Sequence, residues 1–202
     1  MLKEITQDLS QNLKRVEALV EKYETHPDAK GGGRKPAELL DILRAAVVFL
    51  HASLEDFLRG LAALKLPDAS KEVLNKIPLV DSGKNPSKFW LGDLVVHRDK
   101  TVREVFSESV EQHLQQSNYN DTDDISYLLD AIGVEVSNVN SQFDILQKMM
   151  NRRHQIVHRA DRKPEVTGYG DHEINTINKG TVREWGDAVK HFTDGVAEEI
   201  GE

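Results

Sequence analysis

PAELLDILRAAVVFLHASLEDFLRGLAAL, running from Pro36 to Leu64, decides the fold class. Leu39, Leu40, Leu43, Ala46, Val47, Leu50, Leu54, Phe57, Leu58 and Leu61 recur at three- and four-residue steps and cover more than one stripe of a 3.6-residue turn. A helix that is apolar round most of its circumference needs neighbours on several sides, so this segment reads as a central helix. Pro36 suits a first-turn position, where its missing N–H costs nothing. Leu66-Pro67-Asp68 ends the helix. His51, Glu55 and Arg59 stand four residues apart and form one polar stripe on the cylinder. Such a stripe is a solvated face or a satisfied interior pair, unless Glu55 or His51 faces the arginine cluster elsewhere in the chain.

Working outward, amphipathic helices are expected on both sides of the central one. Leu2 to Tyr23 carries Leu2, Ile5, Leu9, Leu13, Val16 and Val20 on one face. Further helical segments are Ala69–Ile77, Thr101–Gln116, Asp123–Ala131, Ser137–Ala160 and Thr181–Ile200. Asp121 or Thr122 supplies a cap for the segment from Asp123, and Gly133 suits the residue after its end. Phe89-Trp90-Leu91 is aromatic mass expected to dock on the core. Pro78–Pro86 and Lys163–Gly180 read as loops. Gly31-Gly32-Gly33-Arg34-Lys35 lacks the G-x-x-x-x-G-K-[ST] pattern of a phosphate cradle and reads as a linker. Strand signals are weak throughout, and no repeat period stands out. The expected fold is an all-α, single-domain helical bundle of about five main helices plus short ones. Residues 1–30 form an N-terminal helical extension, and 31–202 the main domain.

The 202 residues are 39% hydrophobic and 30% charged, a soluble globular balance. No apolar run approaches the roughly 20 residues of a membrane span, and the N-terminus lacks a signal-peptide pattern. A cytoplasmic location with no membrane partner is the expectation. Without cysteine there is neither disulfide nor thiolate chemistry. The net charge of −8 argues against coating long nucleic acid through its backbone. Contact with nucleic acid has to come from a local patch.

Residues 151–159, NRRHQIVHR, supply that patch. Arg152, Arg153, Arg159, Arg162 and Lys163 stand against a single acid, Asp161, and His154 and His158 add to the basic island. Phe143, Leu146, Met150 and Val157 mark the apolar stripe of the same helix, which sets Arg153 and His154 at or beside the packing face. At 100° per residue, His154 and His158 lie about 40° apart, whereas Arg153 and His158 are separated by about 140°. A groove lined by both needs a second helix, or a second copy of this one, to close it. The same residues also suit a plain solvated basic face. A metal site is not expected: His154 and His158 are four apart, but no H-E-x-x-H and no nearby carboxylate accompany them. Asp121, Asp123 and Asp124 lack the EF-hand spacing and fit helix capping instead.

The motif helix resembles that of the HEPN superfamily, whose members carry R-x(4–6)-H with a polar residue after the arginine. Arg153 to His158 matches R-x4-H with His154 as the polar follower. Arg152 to His158 matches R-x5-H, so either arginine fits the pattern. The Ile156-Val157-His158 ending and the Ala52–Leu58 stretch are most similar to the RiboL-PSP-type branch, over about residues 36 to 200. The resemblance implies a metal-independent endoribonuclease that needs no cofactor, works as a homodimer on an RNA substrate and leaves a 2′,3′-cyclic phosphate. It implies His158 as general acid or base, Arg153 as the stabiliser of the phosphorane charge, His154 as an assistant, and Arg152 and Arg159 as binders of flanking phosphates. Glu55 and His51 are candidate supporting residues. A toxin or phage-defence role, with an antitoxin or other regulatory partner, follows from the same resemblance. The alternative is a non-catalytic RNA- or protein-interaction module built on the same fold.

Overall fold

The computed structural model describes residues 1–31, 35–81, 91–162 and 174–201. Among these there are eight α-helices and no strand beyond an isolated antiparallel bridge between Arg162 and Ile174. The helices are α1 (Leu2–Thr25), α2 (Ala37–Lys65), α3 (Lys71–Leu74), α4 (Val102–Leu114), α5 (Thr122–Ala131), α6 (Val136–Val139), α7 (Phe143–Arg159) and α8 (Lys179–Gly201). Short 3₁₀ turns at Leu66–Asp68, Leu91–His97 and Asn140–Gln142 connect some of them. The all-α expectation holds.

α2 is central, as its apolar circumference requires. α1, α4, α7 and α8 all pack on it. Leu43, Ala46, Val47, Leu50, Leu54, Leu58, Leu61 and Ala62 are withdrawn completely from solvent. Each large side chain buried this way contributes about 1.5–3 kcal/mol of transfer free energy. α1, set apart from the sequence as an extension, lies along α2 and brings Leu9, Val16, Val20 and Tyr23 into the same core. The approach is close at Gly60, where a Cβ would meet Ile5 at 3.2 Å. Arg183 of α8 bridges Glu17 and Glu24 of α1 at 2.6 and 2.8 Å, and the bonds from Arg183 and then Lys179 hold the Glu24 carboxyl down at about 2.

Several boundaries differ from the sequence reading. The segment expected as one helix from Ser137 to Ala160 is α6, a 3₁₀ turn and α7. Asn138, Asn140 and Ser141 offer the backbone competing hydrogen bonds and are poor helix formers; Asn138 instead donates to Glu199 of α8. Ala69–Ile77 contracts to α3, capped by Ser70. Thr101 caps α4 in a capping box with Glu104. Asp121, not Thr122, caps α5 by accepting from Asp124 N, and Gly133 takes the left-handed conformation just past its end. On α7, Leu146 and Met150 are buried as expected, but Val157 is 48% exposed and Met149 fills the core instead. Phe89 and Trp90, most of the glycine stretch and residues 163–173 lie outside the described residues; Leu91, expected to dock on the core, is 82% exposed.

Candidate functional site

α7 carries the basic island on its last two turns. Arg153 continues the packed face begun by Leu146, Met149 and Met150, so its side chain is half-buried rather than free in solvent. Its Nη1 is 3.5 Å from Asn120 Oδ1, and its Nε, like that of Arg152, is shielded from solvent with no hydrogen-bond partner among the described residues. A shielded, underused donor fork is a poor way to solvate a charge and a good way to hold one ready for an anion. His154 and His158 lie on the neighbouring, exposed flank, their ring centroids 4.6 Å apart. One chain thus presents an arginine and a histidine pair from adjacent faces of one helix end, not from a closed pocket.

The stripe on α2 explains how the arginine's surroundings are fixed. His51 is buried, and its Nε2 donates to the Tyr119 carbonyl at 3.1 Å. Its Nδ1 faces Glu55 Oε2 at 3.6 Å. The other Glu55 oxygen accepts from Tyr119 N at 3.4 Å. Arg59, one turn on, donates to the carbonyls of Leu114 and Ser117. All three polar residues of α2 therefore grip the segment from Leu114 to Tyr119 and present the next residue, Asn120, to Arg153. Burial, and then the Arg153 charge, lower the His51 pKa against the opposing pull of Glu55. Burial is also the main cause that pushes the Tyr119 phenol up to about 12, so it stays protonated.

The two arginines in possible register with His158 have different surroundings. Arg152 points away from Arg153 and meets Asp161, the only acid in the basic island. Its Nη2 donates to Asp161 Oδ2 at 2.7 Å, and Arg44 Nε of α2 donates to the same oxygen at 2.8 Å. Asp161 is wholly buried. Asn175 O accepts from both arginines, at 3.0 Å from Arg44 and 3.3 Å from Arg152. Two consecutive residues after α7, Ala160 and Asp161, have φ of 47° and 58°, a conformation that turns the chain so that the carboxylate drops back under the helix. A backbone bond from Asp161 N to Gln155 O, at 3.1 Å, closes that turn. Arg152 is thereby part of the pin that holds the end of α7 to α2, and Arg153 is the arginine that faces Asn120 and His51.

The sequence reading missed Asp161, Arg44 and Asn120. Asp161 looked like a lone acid diluting a basic patch, and its separation of 117 residues from Arg44 leaves no local signal. Asn120 read as a turn residue before a cap. Arg159 is exposed at the end of α7. Among the described residues no group of three or more histidines and carboxylates is placed to hold a metal ion, and no helix is long and apolar enough to cross a membrane.

The described residues thus form a helical bundle around a central apolar helix, with an Arg-x4-His end on a helix packed against it. The family model described as RiboL-PSP-HEPN matches residues 6–202, and the chain belongs to that family. The match takes in most of α1. No characterised protein and no solved structure matches the chain.

Proposed function

We propose that this chain is a metal-independent endoribonuclease that works as a homodimer. The observation that carries the reading is Arg153: a guanidinium half-buried against Asn120, with a shielded Nε that has no partner among the described residues, on the same helix end as the exposed His154–His158 pair. The 2′-oxygen of a ribose attacks the adjacent phosphorus as its proton passes to a histidine. The P–O5′ bond breaks, and the 5′-oxygen leaves with a proton from a histidine. His158 fits the general acid or base role because imidazole titrates near neutrality. His154, beside it, shares the proton work. Arg153 stabilises the charge of the pentacovalent phosphate. His51 and Glu55 act behind it by fixing the Tyr119–Asn120 segment.

The homodimer part of the proposal rests on geometry. Arg153 and His158 are about 140° apart on one helix, and the histidines are open to solvent, so a second copy of α7 completes a cleft. A groove of about 320 Å³ along Lys148, Arg152, Gln155, Thr181 and Trp185 lies on the Arg152 side of the helix, and Arg159, exposed at the helix end, is the arginine left to meet a flanking phosphate. The requirement for a 2′-hydroxyl makes DNA a non-substrate. A toxin or phage-defence effector, restrained by an antitoxin or other regulatory partner, fits an activity that damages its own cell.

The test is cleavage of a defined RNA in EDTA by the wild type, His158→Ala and Arg153→Ala. Loss in both variants, with 2′,3′-cyclic phosphate ends from the wild type, is the expected result. Equal activity in all three would sink the catalytic assignment. No cleavage by the wild type, with RNA binding retained, would leave a non-catalytic interaction module. A strict monomer at micromolar concentration would undercut the shared cleft. Induced expression in a bacterial host should arrest growth with the wild type and not with His158→Ala.

A further inference from the structure

Asn151 opens the basic stretch of α7, and none of the roles above uses it. It stands three residues before His154 and seven before His158. On a helix these positions are about 60° and about 20° away round the axis, so Asn151 shares the face of the histidine pair. All three side chains are exposed. Side chains three and four apart on a helix are direct neighbours, with Cβ atoms about 5–6 Å apart. Asn151, His154 and His158 therefore form a ladder along the outer face of α7. The Asn151 amide is also held in one orientation, by a relay of hydrogen bonds that starts on α5. Thr122 N donates to Gln147 Oε1 at 3.0 Å, and Thr122 Oγ1 donates to the same oxygen at 3.1 Å. Gln147 Nε2 in turn donates to Asn151 Oδ1 at 3.2 Å. A backbone N–H can only donate, so the first bond sets the direction of every later one. Asn151 ends the relay with its carbonyl in use and its Nδ2 hydrogens without a partner among the described residues.

From this we infer that Asn151 is a substrate-binding residue of the ribonuclease: its Nδ2 donates to an oxygen of the phosphate that flanks the scissile one, a turn of helix away from the histidines. The inference rests on the ribonuclease reading above. Three observations carry it. The free tip of Asn151 is a donor only, and the non-bridging oxygens of a phosphate diester only accept. The donor is aimed before any ligand arrives, because the relay from Thr122 through Gln147 leaves the amide no reason to turn over; a preset donor loses little freedom on binding. Lastly, the charge beside it has the sign a phosphate needs. Lys148, three residues before Asn151 and so its neighbour on the helix, is exposed and pairs with no acid among the described residues. An amide that served only the fold would spend its donors on the protein, whereas Asn151 spends only its acceptor there.

The experiment measures the affinity of the intact chain for a short single-stranded RNA with 2′-O-methyl riboses, which has no 2′-hydroxyl to attack, together with KM and kcat on the unmodified RNA and the Tm of each variant. Asn151→Ala should weaken binding about tenfold. It should raise KM by a like factor and leave kcat within about twofold, because a flanking contact is made equally in the ground and transition states. Gln147→Glu is the decisive variant. Glutamate keeps an acceptor for Thr122, so the tie to α5 and the Tm are retained, but it offers Asn151 an acceptor in place of a donor. The Asn151 amide then turns over and presents Oδ1 to the RNA. Affinity should fall at least as far as in Asn151→Ala, at about 0.1 M salt and again at about 0.5 M, where the long-range effect of the added charge is screened. Asn151→Asp, with a charged acceptor at the tip, should bind more weakly than Asn151→Ala. Wild-type affinity and KM in both Asn151→Ala and Gln147→Glu, in a chain that cuts RNA, overturn the inference and leave the ribonuclease reading standing. Weakened binding in both variants of a chain whose wild type cuts no RNA supports the contact and fails the ribonuclease reading. Weaker binding and a lowered Tm in Asn151→Ala, with neither change in Gln147→Glu, would give Asn151 a purely structural role and overturn the inference.

Discussion

Asp161→Ala removes the carboxylate shared by Arg44 and Arg152. The wild-type side chain is completely buried and accepts two charge-assisted bonds at 2.8 and 2.7 Å. Each such bond contributes roughly 1.5–3 kcal/mol net. Deleting one partner of a buried ionic group costs about 3–5 kcal/mol, because the remaining charges are left in place without compensation. Arg44 keeps Asp41 at 2.9 Å and the Asn175 carbonyl, and Arg152 keeps the Asn175 and Thr176 carbonyls. These residual partners hold the loss to the lower half of that range, about 3–4 kcal/mol. For a chain of this length each kcal/mol lowers Tm by about 2–4 °C, so thermal unfolding of Asp161→Ala should shift down by roughly 6–16 °C. Asp161→Asn tolerates the same left-handed backbone and keeps one acceptor, so it should lose about half as much. Asp161→Ala combined with Arg152→Ala should cost less than the sum of the two single changes, since each single change strands the other's charge. A Tm within 2–3 °C of wild type for Asp161→Ala, or strict additivity in the double variant, would refute the pinning role assigned to this carboxylate.

Arg152→Ala should lower Tm, whereas Arg159→Ala, at an exposed position, should leave Tm within experimental scatter and change only RNA affinity; equal thermal effects would contradict the separation of roles. Ala160→Gly should stabilise the chain by about 1 kcal/mol, read as a Tm rise, because Ala160 adopts φ 47° just past the end of α7, where glycine carries no Cβ penalty. His51 is held neutral by burial, with its pKa below the usual 6.5. The unfolded chain therefore takes up this proton first as the medium is acidified. Stability from this site is fully present above about pH 6.5 and is lost as pH falls from there toward the lowered folded value. Denaturant unfolding of His51→Gln should show a flatter stability profile between about pH 7 and 5 than wild type; parallel profiles would count against a neutral, buried His51.

α2 was legible because burial on several sides leaves a direct mark on composition: a helix touching four neighbours has to be apolar on most of its circumference. α7 was less so. Its apolar positions predicted which face packs, but Val157 shows where a periodic pattern outlasts the packing it normally signals. Position 157, in the last turn, meets solvent although its phase still matches the core. The break at Asn138–Ser141 was written in poor helix formers, yet nothing local separates three such residues inside a helix from three that end one. The contact from Asn138 to Glu199 of α8 leaves no local trace in the sequence.

The candidate site divides along the same line. His154, His158 and Arg153 are neighbours in sequence, so spacing alone placed them on one helix end. What separates Arg153 from Arg152 is carried entirely by distant partners: Asp161 and Arg44 for one, Asn120 and the His51–Glu55 stripe for the other. R-x4-H and R-x5-H are equally good patterns, but only one of the two arginines is spent on structure. The stripe itself shows why a structural and a functional reading of buried polar residues need not compete. His51 Nε2, Glu55 and Arg59 bond to backbone groups, while His51 Nδ1 has no hydrogen-bond partner among the described residues. The backbone they satisfy is the segment that fixes the partner of Arg153. Any substitution there should therefore alter stability and the geometry of the arginine together. On the proposed ribonuclease reading, an acidic chain with a net charge of −8 cannot rely on long-range attraction to hold a polyanion, and a few prepositioned donors do by geometry what charge density does elsewhere.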